Sequence, residues 1–358
     1  MMMIGVRSPM RRMSRALFTF GLVAICAGAA RADAVSDFYK GKTVTVIVGY
    51  SAGGGYDLYA RALARHMGRH IPGQPTLVVN NMPGAGSVAA ANYIYGVAAK
   101  DGTVFGTFSR GVPMEPLIGT ANTRYEADKF TWIGSISNEL SICAVAGKSP
   151  VKTFDDALSK PFTVAGEASG SDPDTYAKLF RNLFGAKLKL VTGYPGGNDM
   201  TLAIERGEVD GRCGWSWGSI KATRPEWISG ENKINVLLQL ALERSPELPD
   251  VPTAYEKAAD QRQRDVVKLI ISRQIVARPF AAPPGIPEDR KQALRNAFDA
   301  TMKDAEFLKE AKAMALEVEP VGGAQVDKLI AELYAAPKDV IEQARVAISG
   351  EAATRPSK

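Results

Sequence analysis

Runs of four to eight β-forming residues alternate with segments of helical periodicity through most of this chain. The first such pair, TVTVIVGYSAGGGYDLYARALARH at 43–66, sets three consecutive glycines between strand and helix. Short apolar runs spaced by amphipathic helices are buried on both faces only when helices cover each side of a sheet, the α/β arrangement. Strands are expected at 43–50, 76–81, 103–109, 130–136, 140–146, 162–168, 188–194, 209–215 and 234–242; they become sparse after 250, and 287–348 reads as helices. FTVAGEASGSDPDTYAKLFRNLFG at 162–185 repeats the order of strand, glycine loop and helix, with Asp172 as the expected N-cap and Pro173 as the first helical residue. Two such units about 120 residues apart predict one in each of two lobes, with a ligand crevice at the carboxyl ends of the strands.

The first 32 residues stand apart. Arg7, Arg11, Arg12 and Arg15 precede an apolar stretch at 16–30, and Ala30-Arg31-Ala32 supplies an A-x-A cleavage site, the layout of a secretory signal. The apolar stretch is shorter than the roughly 20 residues of a membrane-spanning helix, so a soluble, exported chain is expected. This segment holds five of the 44 lysines and arginines and none of the 38 acidic residues, leaving 39 against 38. A nearly neutral mature chain lacks the electrostatic footprint of nucleic-acid binding. Cys143 and Cys213 have no metal-ligand spacing and are either a disulfide or two buried thiols.

Glycine admits positive φ and lets a ligand approach the main chain. The amides that open a helix have no intrahelical acceptor and sit at the positive end of its dipole, so the two features together make an anion cradle. A Walker loop needs GK[ST] where GYD stands. A dinucleotide fingerprint needs spaced glycines and an acidic residue where TLVVNN ends in Asn80 and Asn81. What remains is a small carboxylate held by amides, or a loop rich in glycine for turn geometry alone. Asp57 competes with an anion for the same amides; it either shapes the loop or accepts from a ligand hydroxyl or amine.

GYSAGGGYD and its helix are followed in order by VVNNMPGAGSVAAANYIY, KDGTVFGTFS, VTGYPGGNDMTLAIERGEVDG, ERSPELPDVPTAYE and APPGIPEDRKQALRNAF. Together, over roughly residues 38–345, they resemble the extracytoplasmic solute-binding receptors of the tripartite tricarboxylate transporter family, Bordetella uptake gene type. The resemblance implies a two-lobed, type II periplasmic binding protein-like α/β fold, with mainly parallel sheets flanked by helices and the ligand cleft between lobes. It implies a first lobe from 33–142 plus 255–350 and a second from 143–254. It further implies a monomeric periplasmic protein that takes a small organic acid, serves the large and small membrane subunits of a secondary transporter, and needs no metal, cofactor or catalytic residue.

Carried over by position, Ser51, Ala52, Gly53, Gly54, Gly55, Tyr56 and Asp57 form the first-lobe cradle, with Gly84, Ala85 and Gly86 beside it and Ser109 at the end of the third strand. Ser169, Gly170 and Ser171 face them from the second lobe, with Tyr194, Gly197 and Asp210 nearby. The family grips its carboxylate with backbone amides and ordered waters rather than an arginine clamp, which agrees with the lack of a cation in either glycine loop. Tyr56 stands where a small hydroxyl residue is more usual, and CGWSWGS at 213–219 replaces a plainer segment.

Other chemistries fit less well. GWSWG at 214–218 matches the G-x-S-x-G elbow of a serine hydrolase with Ser216 as nucleophile, but that order needs a later histidine, and the only two are His66 and His70. Those two have the spacing of a zinc pair but lack the HExxH glutamate, so they read as a solvated helix end. An exported carboxylate sensor would share every feature of the binding protein. Trp215 and Trp217 alternate about Ser216, so in a strand both would face one side and either cover a ligand or pack in the core.

Overall fold

The computed structural model describes residues 34–118 and 122–349; the expected secretory signal lies outside them. Eleven strands form two sheets among these residues. In chain order they are β1 (Thr43–Val48), β2 (Thr76–Asn81), β3 (Val104–Thr107), β4 (Thr131–Ser135), β5 (Ser141–Val145), β6 (Phe162–Ala165), β7 (Leu188–Val191), β8 (Gly211–Ser216), β9 (Asn235–Leu240), β10 (Pro279–Ala282) and β11 (Val321–Gly322). The first sheet runs β11-β4-β10-β3-β1-β2 and the second β7-β6-β8-β5-β9.

Each sheet is covered on both sides, which explains the nearly continuous apolar runs. Val44, Val46 and Val48 of β1 pack with Tyr59, Leu63 and Phe298, while Ile47 enters the opposite cluster with Ala90, Ala91 and Ile94. In the second sheet Cys143, Val145 and Val164 pack with Tyr176 and Phe180, and Ile142, Ala144 and Trp215 with Met200 and Ile204. The helix Gly55–Met67 buries Tyr59, Ala60, Ala62, Leu63 and Met67 along one stripe.

Both sheets are mixed. β2-β1-β3 and β7-β6-β8 are parallel, as strands joined by crossover helices must be. β10 is antiparallel to β3 and β4, and β5 to β8 and β9, because β10 and β5 enter from the other lobe. The two crossover segments lie side by side: the Ala277 amide donates to the Ser137 carbonyl at 3.0 Å, and the Ile136 amide to the Arg278 carbonyl at 3.2 Å.

The chain stays with the second sheet beyond residue 255. Val266, Val267, Ile270 and Ile271 of the helix Gln261–Ser272 join the core cluster of β5, β6 and β8, and the return comes at 277–278. The last helix, Lys338–Ser349, also places Ala344, Ala347 and Ile348 in that cluster. An apolar stripe goes wherever an unfilled face lies, and helical periodicity does not say which face that is.

Cys143 and Cys213, on the adjacent strands β5 and β8, form a disulfide across a sequence separation of 70 residues. Closing a loop of that length removes about 4 kcal/mol of unfolded-state entropy. A Cys143→Ala, Cys213→Ala chain is expected to lose about that much stability in urea unfolding. A loss below about 1 kcal/mol would mean that the reduced, unfolded chain keeps these strands together.

Candidate functional site

The carboxyl end of β1 leads through residues 49–54 into the helix Gly55–Met67. Gly53 has φ +84°, and its amide donates to Asp57 Oδ2 at 2.9 Å. Asp57 also accepts from Arg61 Nε and Asn81 Nδ2, both at 2.9 Å. Burial opposes its charge, but Arg61, the Gly53 amide and Asn81 outweigh that and hold the carboxyl below its ordinary value. Asp57 therefore shapes the loop, and the Gly53 amide is already taken. Gly54, at the N-cap, has no side chain to satisfy the first turn, so the helix opens uncapped. At Gly55 a Cβ would collide with Ser219 Oγ and the Arg278 guanidinium.

The lobes meet directly over this loop. Ser51 Oγ donates to Asp199 Oδ2 at 2.5 Å, and the Ser51 amide donates to the Pro195 carbonyl at 3.3 Å. Beneath them lies a cavity of about 50 Å³. The first lobe contributes Tyr50 and Gly53 to Tyr56, the second Gly197, Asn198, Thr201, Arg212 and Trp215, and the crossover Arg278. The cavity is far smaller than the roughly 300–1,000 Å³ typical of ligand pockets. The Tyr56 ring stacks on Tyr50 at 4.7 Å and under the Arg278 guanidinium at 4.4 Å, while its hydroxyl accepts from the Arg110 amide at 3.0 Å.

Three guanidinium groups line the cavity, and two carry their own carboxylate. Arg278 donates to Glu139 Oε2 at 2.7 Å and to Ser219 Oγ at 2.8 Å. Arg110 donates to Asp172 and to Ser141 Oγ, and Arg273 lies 3.5 Å from the same aspartate. Arg212 has neither arrangement. Its Nη1 reaches only the Gly197 carbonyl, at 3.5 Å, its Nε has no hydrogen-bond partner among the described residues, and its guanidinium lies 5.7 Å from the Trp215 ring.

The acidic group nearest Arg212 in charge terms is Glu167. Burial pushes its pKa up to about 8, with Arg212 opposing the rise and Asp174 and Asp172 adding to it. At neutral pH that carboxyl is mostly protonated, so the Arg212 charge is left without an ionised partner. Burial correspondingly lowers the pKa of Arg212.

The profile of the tripartite tricarboxylate transporter family receptor, TctC, matches residues 59–346. The chain belongs to the TctC family. A UPF0065 protein of Cupriavidus necator, described by its place in the gbd 5′ region, is 24% identical over 340 residues, covering 92% of this receptor and 96% of that protein. Among solved structures, the periplasmic binding protein BugD superimposes with a TM-score of 0.69 at 21% identity, over 86% of this chain and 98% of its own. MatC of Rhodopseudomonas palustris, with bound malate, gives 0.67 at 22% identity, over 84% and 99%. The chain thus has the two-lobed fold of periplasmic binding proteins.

Of the residues carried over from the motifs, Gly53, Gly54, Gly55, Tyr56 and Gly197 line the cavity, and Trp215, read as a ligand cover or a core residue, lines it with them. Gly84, Ala85, Gly86 and Tyr194 line a second chamber of about 240 Å³. Ser51 closes the lobes on each other. Ser109 staples a loop, accepting from the Gly111 amide at 3.0 Å while its own amide donates to Ser87 Oγ at 2.7 Å. Gly170 packs against Glu115, and Ala52 and Ser169 line neither chamber. Ser171, not Asp172, is the N-cap of the helix Asp172–Phe184, which frees Asp172 for Arg110.

Asp210 does not reach the cleft. It precedes β8, whose far end faces the cavity, and its Oδ2 accepts from the Thr163 amide at 2.7 Å and Thr163 Oγ1 at 2.8 Å at the opposite sheet edge. Trp217 starts a helix rather than continuing β8, and Ser216 Oγ is occupied as its N-cap, accepting from the Ser219 amide at 3.1 Å. His66 and His70 are not a solvated end: they lie 2.5 Å from Glu310 and 2.8 Å from Asp304.

Motif transfer implies a carboxylate held by amides without an arginine clamp; Arg110, Arg212 and Arg278 nevertheless line the cavity. Their one signal in the sequence is a cation inside or beside a strand, as in GRCGWS and VARPF.

Proposed function

We propose that this receptor captures a small carboxylic acid in the periplasm and presents it to the membrane subunits of a tripartite transporter. The observation that carries this reading is Arg212, a guanidinium without an ionised partner inside a cavity closed between two lobes and walled by an uncapped helix start. An acid placed there gains charge-assisted hydrogen bonds in a water-poor site, where they are stronger. Because the helix start belongs to one lobe and Arg212 to the other, one carboxylate touching both favours closure. Malate bound to MatC, a protein of the same fold, agrees with an acidic solute.

The test is a thermal-shift and calorimetric screen of the chain from residue 33 onward against small mono- and dicarboxylates. An acid at 100 times its Kd adds about 2.7 kcal/mol of stability. Gly55→Ala is expected to weaken such binding by about tenfold or more, because the new Cβ strikes Ser219 Oγ of the second lobe and the Arg278 guanidinium that lines the cavity. Equal affinity in that variant would place binding outside the closed cleft.

A further inference from the structure

Tyr50 and Glu167 line both the cavity of Arg212 and the second chamber, so the two spaces adjoin across these side chains. The second chamber is also walled by Tyr194, Pro83, Pro195 and the turn 84–87. In that turn Ala85 has φ +48° and Ser87 φ +73°, a left-handed backbone that side-chain-bearing residues rarely adopt and that is commonly kept where a site needs a particular shape.

The two chambers differ in what they offer a ligand: guanidinium groups line the first, and Glu167, Tyr50 and Tyr194 line the second. Glu167 is 7% exposed, and its Oε2 has no hydrogen-bond partner among the described residues. Two further carboxylates stand on the same loop and helix: Asp172 is committed to Arg110 and Arg273, and Asp174 accepts from the Glu167 amide at 2.7 Å and from Ser171 Oγ at 3.0 Å. Arg212 faces the group from the other cavity. The Glu167 carboxyl, protonated in the empty cleft, is drawn to its ionised form by a cation entering beside it, and that cation also meets the Tyr50 and Tyr194 rings.

We propose that this chamber is an ammonium subsite, so that the cleft takes a zwitterion with its carboxylate toward Arg212 and its amine against Glu167, Tyr50 and Tyr194. The inference rests on the reading of the cleft as a carboxylate site. It selects amino acids over plain acids and over dicarboxylates of similar length.

Calorimetric titration of the chain from residue 33 onward would compare matched probes: acetate with glycine, propionate with 3-aminopropanoate, butyrate with 4-aminobutanoate, and glutarate. At least one amino acid is expected to bind about tenfold tighter than its plain acid and than glutarate, the ratio a desolvated cation–π and ion-pair contact supplies. In Glu167→Gln that ratio should fall to within about twofold. If the variant does not fold, the wild-type ratios decide. Plain acids or glutarate binding as tightly as every amino acid overturns the subsite alone, as does a ratio unchanged in Glu167→Gln. Binding of no probe overturns the carboxylate reading and the subsite with it.

Discussion

Arg212→Gln is expected to weaken carboxylate binding by roughly 30- to 5,000-fold while leaving the ligand-free chain as stable as before, or more so. Truncating one partner of a buried charge pair costs roughly 2–5 kcal/mol in binding. In the free protein the same guanidinium is buried without an ionised partner, so its removal relieves a desolvation cost instead of breaking a pair. The two signs make the result diagnostic: affinity falls in calorimetry and melting temperature does not fall in the absence of ligand. Affinity kept within about threefold would return the acid to the backbone amides alone, the arrangement that motif transfer implies.

Glu167 supplies the second large effect, through pH. Its folded pKa, about 8, lies above the ordinary carboxyl value of 4.5. The folded chain therefore binds more protons than the unfolded one between those values. The associated stability is complete below pH 4.5 and is lost as pH rises to about 8. Full loss amounts to roughly 5 kcal/mol. Glutamine has no such titration, so the stability of Glu167→Gln relative to wild type should climb across this window and level off above it. Urea unfolding of both chains at several pH values between 4.5 and 8.5 measures the difference. A flat difference would mean that Arg212 keeps Glu167 ionised, which would also neutralise the cation assigned to the ligand.

Much of the architecture is legible in local pattern. TVTVIV reads as a strand because β-branched residues alternate about a pleat, and GGGYD reads as a loop into a helix because of its glycines and the stripe that follows. The nine strands expected before residue 250 all form, within a few residues. PFAA at 279–282 gives no such signal: it is short, begins with proline, and becomes a strand because β3 and β4 leave a gap between them. Asp210 misled for a related reason. Its place before a strand is visible in the sequence, but which sheet edge that strand starts from is not.

Local periodicity and backbone freedom thus determined the α/β class, the glycine loop and the general position of a crevice at strand ends, since each depends on neighbours a few residues apart. Tertiary structure alone decided that Cys143 bonds Cys213, that Ser51 meets Asp199, and that Arg110 and Arg278 are neutralised by Asp172 and Glu139 while Arg212 is not. The physical reason is that the worth of a charge depends on what surrounds it. The partners of Arg110 and Arg278 lie 62 and 139 residues away, so which cation was left for a ligand emerged only when the lobes had packed.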